Sequence, residues 1–144
     1  MTTLSQLKRV IATLALTTLP AVAIAQVAII VHPSTSISGA KADQIADVFL
    51  GKTDAVGGAS NLTAVDQAEG SPSRDTFYKA AAARDAAQLK AYWARLTFTG
   101  KAKPPQALAN DAEVKKHVAS KPGAIGYISA GAADSSVKVV LMVQ

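Results

Sequence analysis

Five consecutive apolar residues, Val27-Ala28-Ile29-Ile30-Val31, all but one of them β-branched, constrain this chain more than any other feature. A strand with one wet face alternates apolar and polar residues, whereas an unbroken run fits a strand covered on both faces. The run stops at His32-Pro33, because proline has no N–H for a ladder and restricts the residue before it. A strand covered twice needs helices above and below its sheet. The rest of the sequence supplies them.

After the polar turn Ser34-Thr35-Ser36-Ile37-Ser38, Ala42, Ile45, Val48 and Phe49 fall on one helical stripe, with Ser38 read as its cap and Gly51 as its end. Residues 52–61 read as an exposed loop around Gly57-Gly58, and residues 62–66 as a short strand. Ser71-Pro72 is a helix start, a capping hydroxyl followed by the residue whose missing N–H costs nothing at the first helical position. That helix runs to about Ala83. Asp85 with Gln88 opens a third, whose Leu89, Tyr92, Trp93 and Leu96 recur at core spacing. Residues 99–105 read as a loop, and Asn110-Asp111-Ala112-Glu113 begins a fourth helix that ends before Pro122-Gly123. Strands at 124–128 and 137–141 complete the chain. The expected fold is a single α/β domain, with a mixed, mainly parallel sheet of four or five strands and helices on both faces.

Residues 1–25 stand apart from this pattern. Lys8 and Arg9 precede the apolar run Val10–Leu19, and Ala23-Ile24-Ala25 follows. This is the n-region, h-region and A-x-A site of a cleaved export signal, with Gln26 as the first mature residue. The apolar run is too short to span a bilayer, and no cysteine is present for lipidation. The expectation is a released periplasmic domain over residues 26–144, without membrane insertion. Loss of Lys8 and Arg9 brings the net charge from +5 to about +3. Lys101 and Lys103 lie in a Gly/Pro segment without interleaved aromatics, so nucleic acid is not the expected partner. The absence of cysteine excludes disulfides, thiolate metal sites and cysteine nucleophiles, and the two histidines, His32 and His117, are far apart. No metal or cofactor is expected.

The strand–turn–helix at 62–83 is where chemistry is most legible. A helix N-terminus presents unsatisfied N–H groups and the positive end of its dipole, which together attract anions. In Glu69-Gly70-Ser71-Pro72-Ser73-Arg74, the serines add hydroxyls and Arg74 adds a fork suited to an oxyanion. Equally, Ser71 caps its own helix and Arg74 is a solvated first-turn charge. Ser34 and Thr35 stand as a secondary pair of hydroxyls after the first strand, where open α/β sheets usually bind ligands. Asp66, Glu69 and Asp75 do not form an acid/base set, since no nucleophile or partner carboxylate stands at a diagnostic spacing. Ser71 lies outside any Gly-x-Ser-x-Gly elbow, and nothing demands an enzyme.

Taken in order, Val27–Pro33, the run Ala42–Lys52 ending in F-L-G-K, Asp66–Phe77, Trp93 and P-G-A-I-G-Y at 122–127 resemble the phosphate-type substrate-binding proteins of ABC transporters. The resemblance implies one lobe of a type II periplasmic binding fold, and phosphate or a similar oxyanion as ligand. It implies that Ser71 and Ser73 stand at the motif's serine and threonine, and Glu69 at its acceptor carboxylate. Gln67 stands where the motif has arginine, and Pro72 where it has glycine, which removes an N–H donor. Full-length members of that family close two lobes on the ligand. The 119 residues that follow position 25 supply one lobe. Two readings follow: an oxyanion-binding component that works with an inner-membrane permease or as a homodimer, with the anion held by Gln67, Glu69, Gly70, Ser71, Ser73 and Arg74; or a non-catalytic periplasmic adaptor that keeps the lobe without tight ligand capture.

Overall fold

A computed structural model describes residues 25–144, so the leader read over 1–25 lies outside the described residues but for Ala25. Five strands and four α-helices follow one another in the order β1 (Val27–Val31), α1 (Ala42–Phe49), β2 (Thr63–Gln67), α2 (Pro72–Ala82), α3 (Ala86–Phe98), β3 (Gln106–Leu108), α4 (Asp111–Ser120), β4 (Ala124–Ser129) and β5 (Lys138–Val143). They form one sheet in the order β3-β2-β4-β1-β5. β2 pairs in parallel with β3 and β4, whereas β1 runs antiparallel to both β4 and β5. Four strands therefore point one way and β1 against them, which makes the sheet mixed and mainly parallel.

All five residues of β1 are buried, as a doubly covered strand requires. Val27, Ile29 and Val31 face a core built with Ile45 and Phe49 of α1, Phe77 and Tyr78 of α2, and Leu89 and Trp93 of α3. Ala28 and Ile30 face the other side, against Val114 and Val118 of α4. Phe49, Phe77 and Tyr127 pack ring to ring, with Phe77 stacked on Tyr127 at 4.4 Å between centroids. On the α4 side there is no room for a side chain at Gly126. A Cβ built there would lie 2.7 Å from Val114 Cγ1, so this glycine sets how closely α4 approaches β4.

Three details differ from the expectations. Ser38 does not cap α1. The 52–61 loop folds back on it, Gly57 O accepting the Ser38 N–H at 2.9 Å, and α1 starts after Lys41, whose N–H is taken by Gln44 Oε1 at 3.0 Å. Beyond the loop read over 99–105, Gln106–Leu108 adds to β2 a short edge strand that no expectation covered. Val56 within the 52–61 loop is buried and bridges to Ala59. The cap at Asp85 forms as expected, its carboxylate accepting the Gln88 N–H at 2.8 Å.

Candidate functional site

β2 delivers the chain to the start of α2. Alternation along a strand sends neighbouring side chains to opposite faces, so Asp66 turns toward α2 and Gln67 toward α4. Ala68, Glu69 and Gly70 then make a turn closed by Ser71 N–H on Ala68 O at 3.1 Å, with Gly70 in the left-handed region at φ +89°. Pro72 opens the helix with Ser71 as its cap, whose Oγ accepts the Arg74 N–H at 3.4 Å.

On the α4 face, a cavity of about 280 Å³ opens between this helix start and the starts and ends of its neighbours. Gln67, Ser71, Pro72, Ser73, Asn110, Asp111 and Ser129 line it. Gln67 organises the polar groups. Its Oε1 accepts the Ser71 hydroxyl at 2.6 Å, and its Nε2 donates to Tyr127 O at 2.9 Å and to Asp111 Oδ1 at 2.7 Å. Ser73 donates to the same Asp111 oxygen at 3.0 Å and lies 2.9 Å from the Ser129 hydroxyl. Burial pushes the Asp111 carboxyl upward, but hydrogen bonds from Gln67, Ser129 and Ser73 outweigh it and hold its pKa below the ordinary value. An anion already rests on these donors, and it belongs to the chain.

The opposite face of β2 carries a different cluster. Asp66 is buried and accepts hydrogen bonds from the Tyr78 hydroxyl at 2.6 Å, the Tyr127 hydroxyl and the Gln67 N–H at 2.8 Å. Arg74 Nε stands 3.8 Å from the same carboxylate, with its guanidinium over the Tyr78 ring. Burial raises both tyrosine pKa values, and the adjoining Asp66 charge raises them further. Both hydroxyls therefore remain protonated donors. The cluster ties α2 and β4 to β2.

Among the six residues read as the anion site, Gln67, Ser71 and Ser73 come together in the cavity, with Ser71 also doing the capping. Glu69 and Gly70 lie on the exposed turn before the helix and do not line the cavity. Arg74 is redirected. Its Nε lies 3.8 Å from Asp66 Oδ1 on the other side of β2 rather than in the cavity, buried and without a hydrogen bond of its own. Ser34 and Thr35 are not brought to the site. β1 runs against its neighbours, pairing Val27 with Ser129 and Val31 with Ile125, so its carboxyl end lies at the far end of the sheet. There Ser34 bonds to His32 Nδ1 at 2.7 Å. Ala109, Asn110, Asp111 and Ser129 are lining residues the sequence did not single out for the site. Asp111 read there as a helix-start residue only, and nothing in the chain marked that its helix begins beside Gln67. Two larger hollows, of about 410 and 460 Å³, open beside Thr63 and Ala64, at the opposite end of β2. Among the described residues, no group of histidine and acidic side chains is arranged to hold a metal ion, and no helix is long and apolar enough to cross a membrane.

No family model matches the sequence, and no curated protein does. Solved structures do match the fold. A structure described as a phosphate ABC transporter substrate-binding protein of Clostridium perfringens, with bound phosphate, is similar to this chain with a TM-score of 0.62 and 25% identity. The match covers 81% of this chain and 45% of that one. An ABC-type phosphate transport receptor of Vibrio cholerae matches with a TM-score of 0.59 and 20% identity, over 81% of this chain and 46% of its own. The chain thus has the fold of a single lobe of the phosphate-type substrate-binding proteins and spans less than half of their length. The two neighbours are described as a substrate-binding protein and a receptor of phosphate transport.

Proposed function

We propose that the chain is a periplasmic oxyanion-binding protein of the phosphate-type ABC transporter kind, with phosphate or a similar oxyanion held at the N-terminus of α2. The observation that carries this reading is the likeness to part of a structure that contains phosphate, joined to a cavity at the serine-bearing helix start. The helix dipole and the Ser73 hydroxyl favour a negative group there. Gln67 supplies an amide donor where the resembling motif has arginine, so the site recognises its ligand with neutral donors. Glu69 and Gly70 would meet the anion from the turn that precedes the helix. Arg74 acts only through its charge across β2. The export signal read at 1–25 fits delivery to the periplasm, and an inner-membrane permease or a second copy is the proposed partner.

Phosphate titration followed by amide resonances tests this reading. Gly70, Ser71, Ser73 and Ser129 should shift together along one saturable curve, and sulfate should compete. A second reading, a periplasmic adaptor without ligand capture, is favoured by one observation: the side-chain donors of the cavity are already paired within the chain. If the resonances of the folded protein stay fixed at every phosphate concentration, the adaptor reading replaces the first.

A further inference from the structure

The carboxylate of Asp111 occupies the place that an external anion would need. It belongs to the first residue of α4, yet it reaches across to the start of α2 and takes the Gln67 amide at 2.7 Å and the Ser73 hydroxyl at 3.0 Å on a single oxygen. Other donors of the helix start are spent as well, the Ser73 N–H excepted. The Ser71 hydroxyl goes to Gln67 Oε1, the Ser71 N–H to Ala68 O, the Arg74 N–H to Ser71 Oγ, and Pro72 has none. The nearest guanidinium, that of Arg74, is paired on the other face of β2 with Asp66. A second negative charge in the same cavity would meet Asp111 at close range with no cation between them.

We propose that Asp111 is a built-in ligand of the α2 cradle, so that an oxyanion enters only by displacing its carboxylate. This rests on the oxyanion reading of the site and adds its regulation. The unaltered lobe is set to weak binding, and whatever draws Asp111 off Gln67 and Ser73 raises its affinity. Asp111 is held through side-chain hydrogen bonds at the first turn of α4, so a modest rotation of one side chain frees the donors without unfolding the helix. The Asn110 cap, whose Oδ1 accepts the Glu113 N–H at 3.0 Å, holds α4 independently of Asp111.

The test compares the purified protein with Asp111→Ala and Asp111→Asn, titrated with phosphate and with formate by calorimetry and by thermal unfolding. Removal of the carboxylate in Asp111→Ala should tighten phosphate binding by about tenfold or more, the size expected when one competing contact is lost. Formate, which returns the deleted group as a free ion, should raise the Tm of Asp111→Ala and leave that of the unaltered protein unchanged. Equal phosphate affinity in the unaltered and Asp111→Ala proteins overturns the role of Asp111 while leaving the oxyanion reading in place. Stabilisation of Asp111→Ala by formate, with phosphate bound by neither protein, supports the built-in ligand and removes phosphate as the cargo. A folded Asp111→Ala that responds to neither anion overturns the inference. Where Asp111→Ala does not fold, Asp111→Asn keeps the shape without the charge and should still bind phosphate more tightly than the unaltered protein. Unchanged affinity there overturns the proposal equally.

Discussion

Asp66 and Gln67 sit side by side on β2 and divide the polar work of the lobe between its two faces. Asp66 gathers two tyrosine hydroxyls and a backbone N–H inside the core, with Arg74 beside them. Hydrogen bonds to a buried charge are stronger than neutral ones, and removing the charge orphans every donor around it. Asp66→Ala should therefore cost about 2–4 kcal/mol of stability, read from urea unfolding. A loss near zero would show that the cluster does not tie α2 and β4 to β2. On the other face, the depressed pKa of Asp111 carries a pH signature. A carboxyl held below its ordinary value stabilises the fold above that value, and the contribution fades as pH falls through the depressed one. Asp111→Asn should flatten the acid limb of the stability profile, measured by thermal unfolding between neutral and strongly acidic pH. An unaltered limb would mean that Gln67 and Ser73 do not favour the charged form.

Elements explain why parts of the chain were legible and others were not. The unbroken Val27–Val31 run, the Ser71-Pro72 start and the Asp85/Gln88 box are local signals, and each forms where the sequence places it. Within P-G-A-I-G-Y, every piece has a physical task. Gly123 takes a left-handed turn at φ +86°, Gly126 lets α4 sit on β4, and Tyr127 reaches Asp66. What escaped the sequence depends on pairing between distant segments. The reversed direction of β1 is invisible in its own residues, yet it sends Ser34 and Thr35 to the far end of the sheet. Gln106–Leu108 is three residues on an edge, too short for periodicity. The meeting of Gln67, Ser73 and Asp111 joins two helix starts 38 residues apart. Two predictions belong here. Gly126→Ala should destabilise the protein by about 1–3 kcal/mol in urea unfolding, because the new methyl would strike Val114 at 2.7 Å. Ala tolerated at no cost would mean that α4 moves freely on the sheet. Pro72→Gly restores an N–H at the helix start and frees the backbone. It should lower stability by about 0.5–1 kcal/mol while strengthening phosphate binding. Weaker binding in that variant would argue against the helix start as the anion's seat.

At the scale of the whole molecule, the chain is a lobe that spans 45% of the phosphate-bound structure it resembles. Its candidate site lies at the sheet end where β2 and β4 finish, open to solvent, so Coulomb attraction there is screened and binding rests on short-range donors. A surface that covers the cavity, from a permease or a second copy, would exclude water and strengthen each contact. The proposed seat of the oxyanion is the start of α2. Isothermal titration calorimetry of the purified protein with phosphate at low salt tests it most directly, with Ser73→Ala as the control that removes a cavity hydroxyl while leaving the Ser71 cap intact. Weak, saturable one-site binding that Ser73→Ala diminishes is the expected result. A folded protein that gives no binding heat, or one whose binding is indifferent to Ser73→Ala, would contradict it.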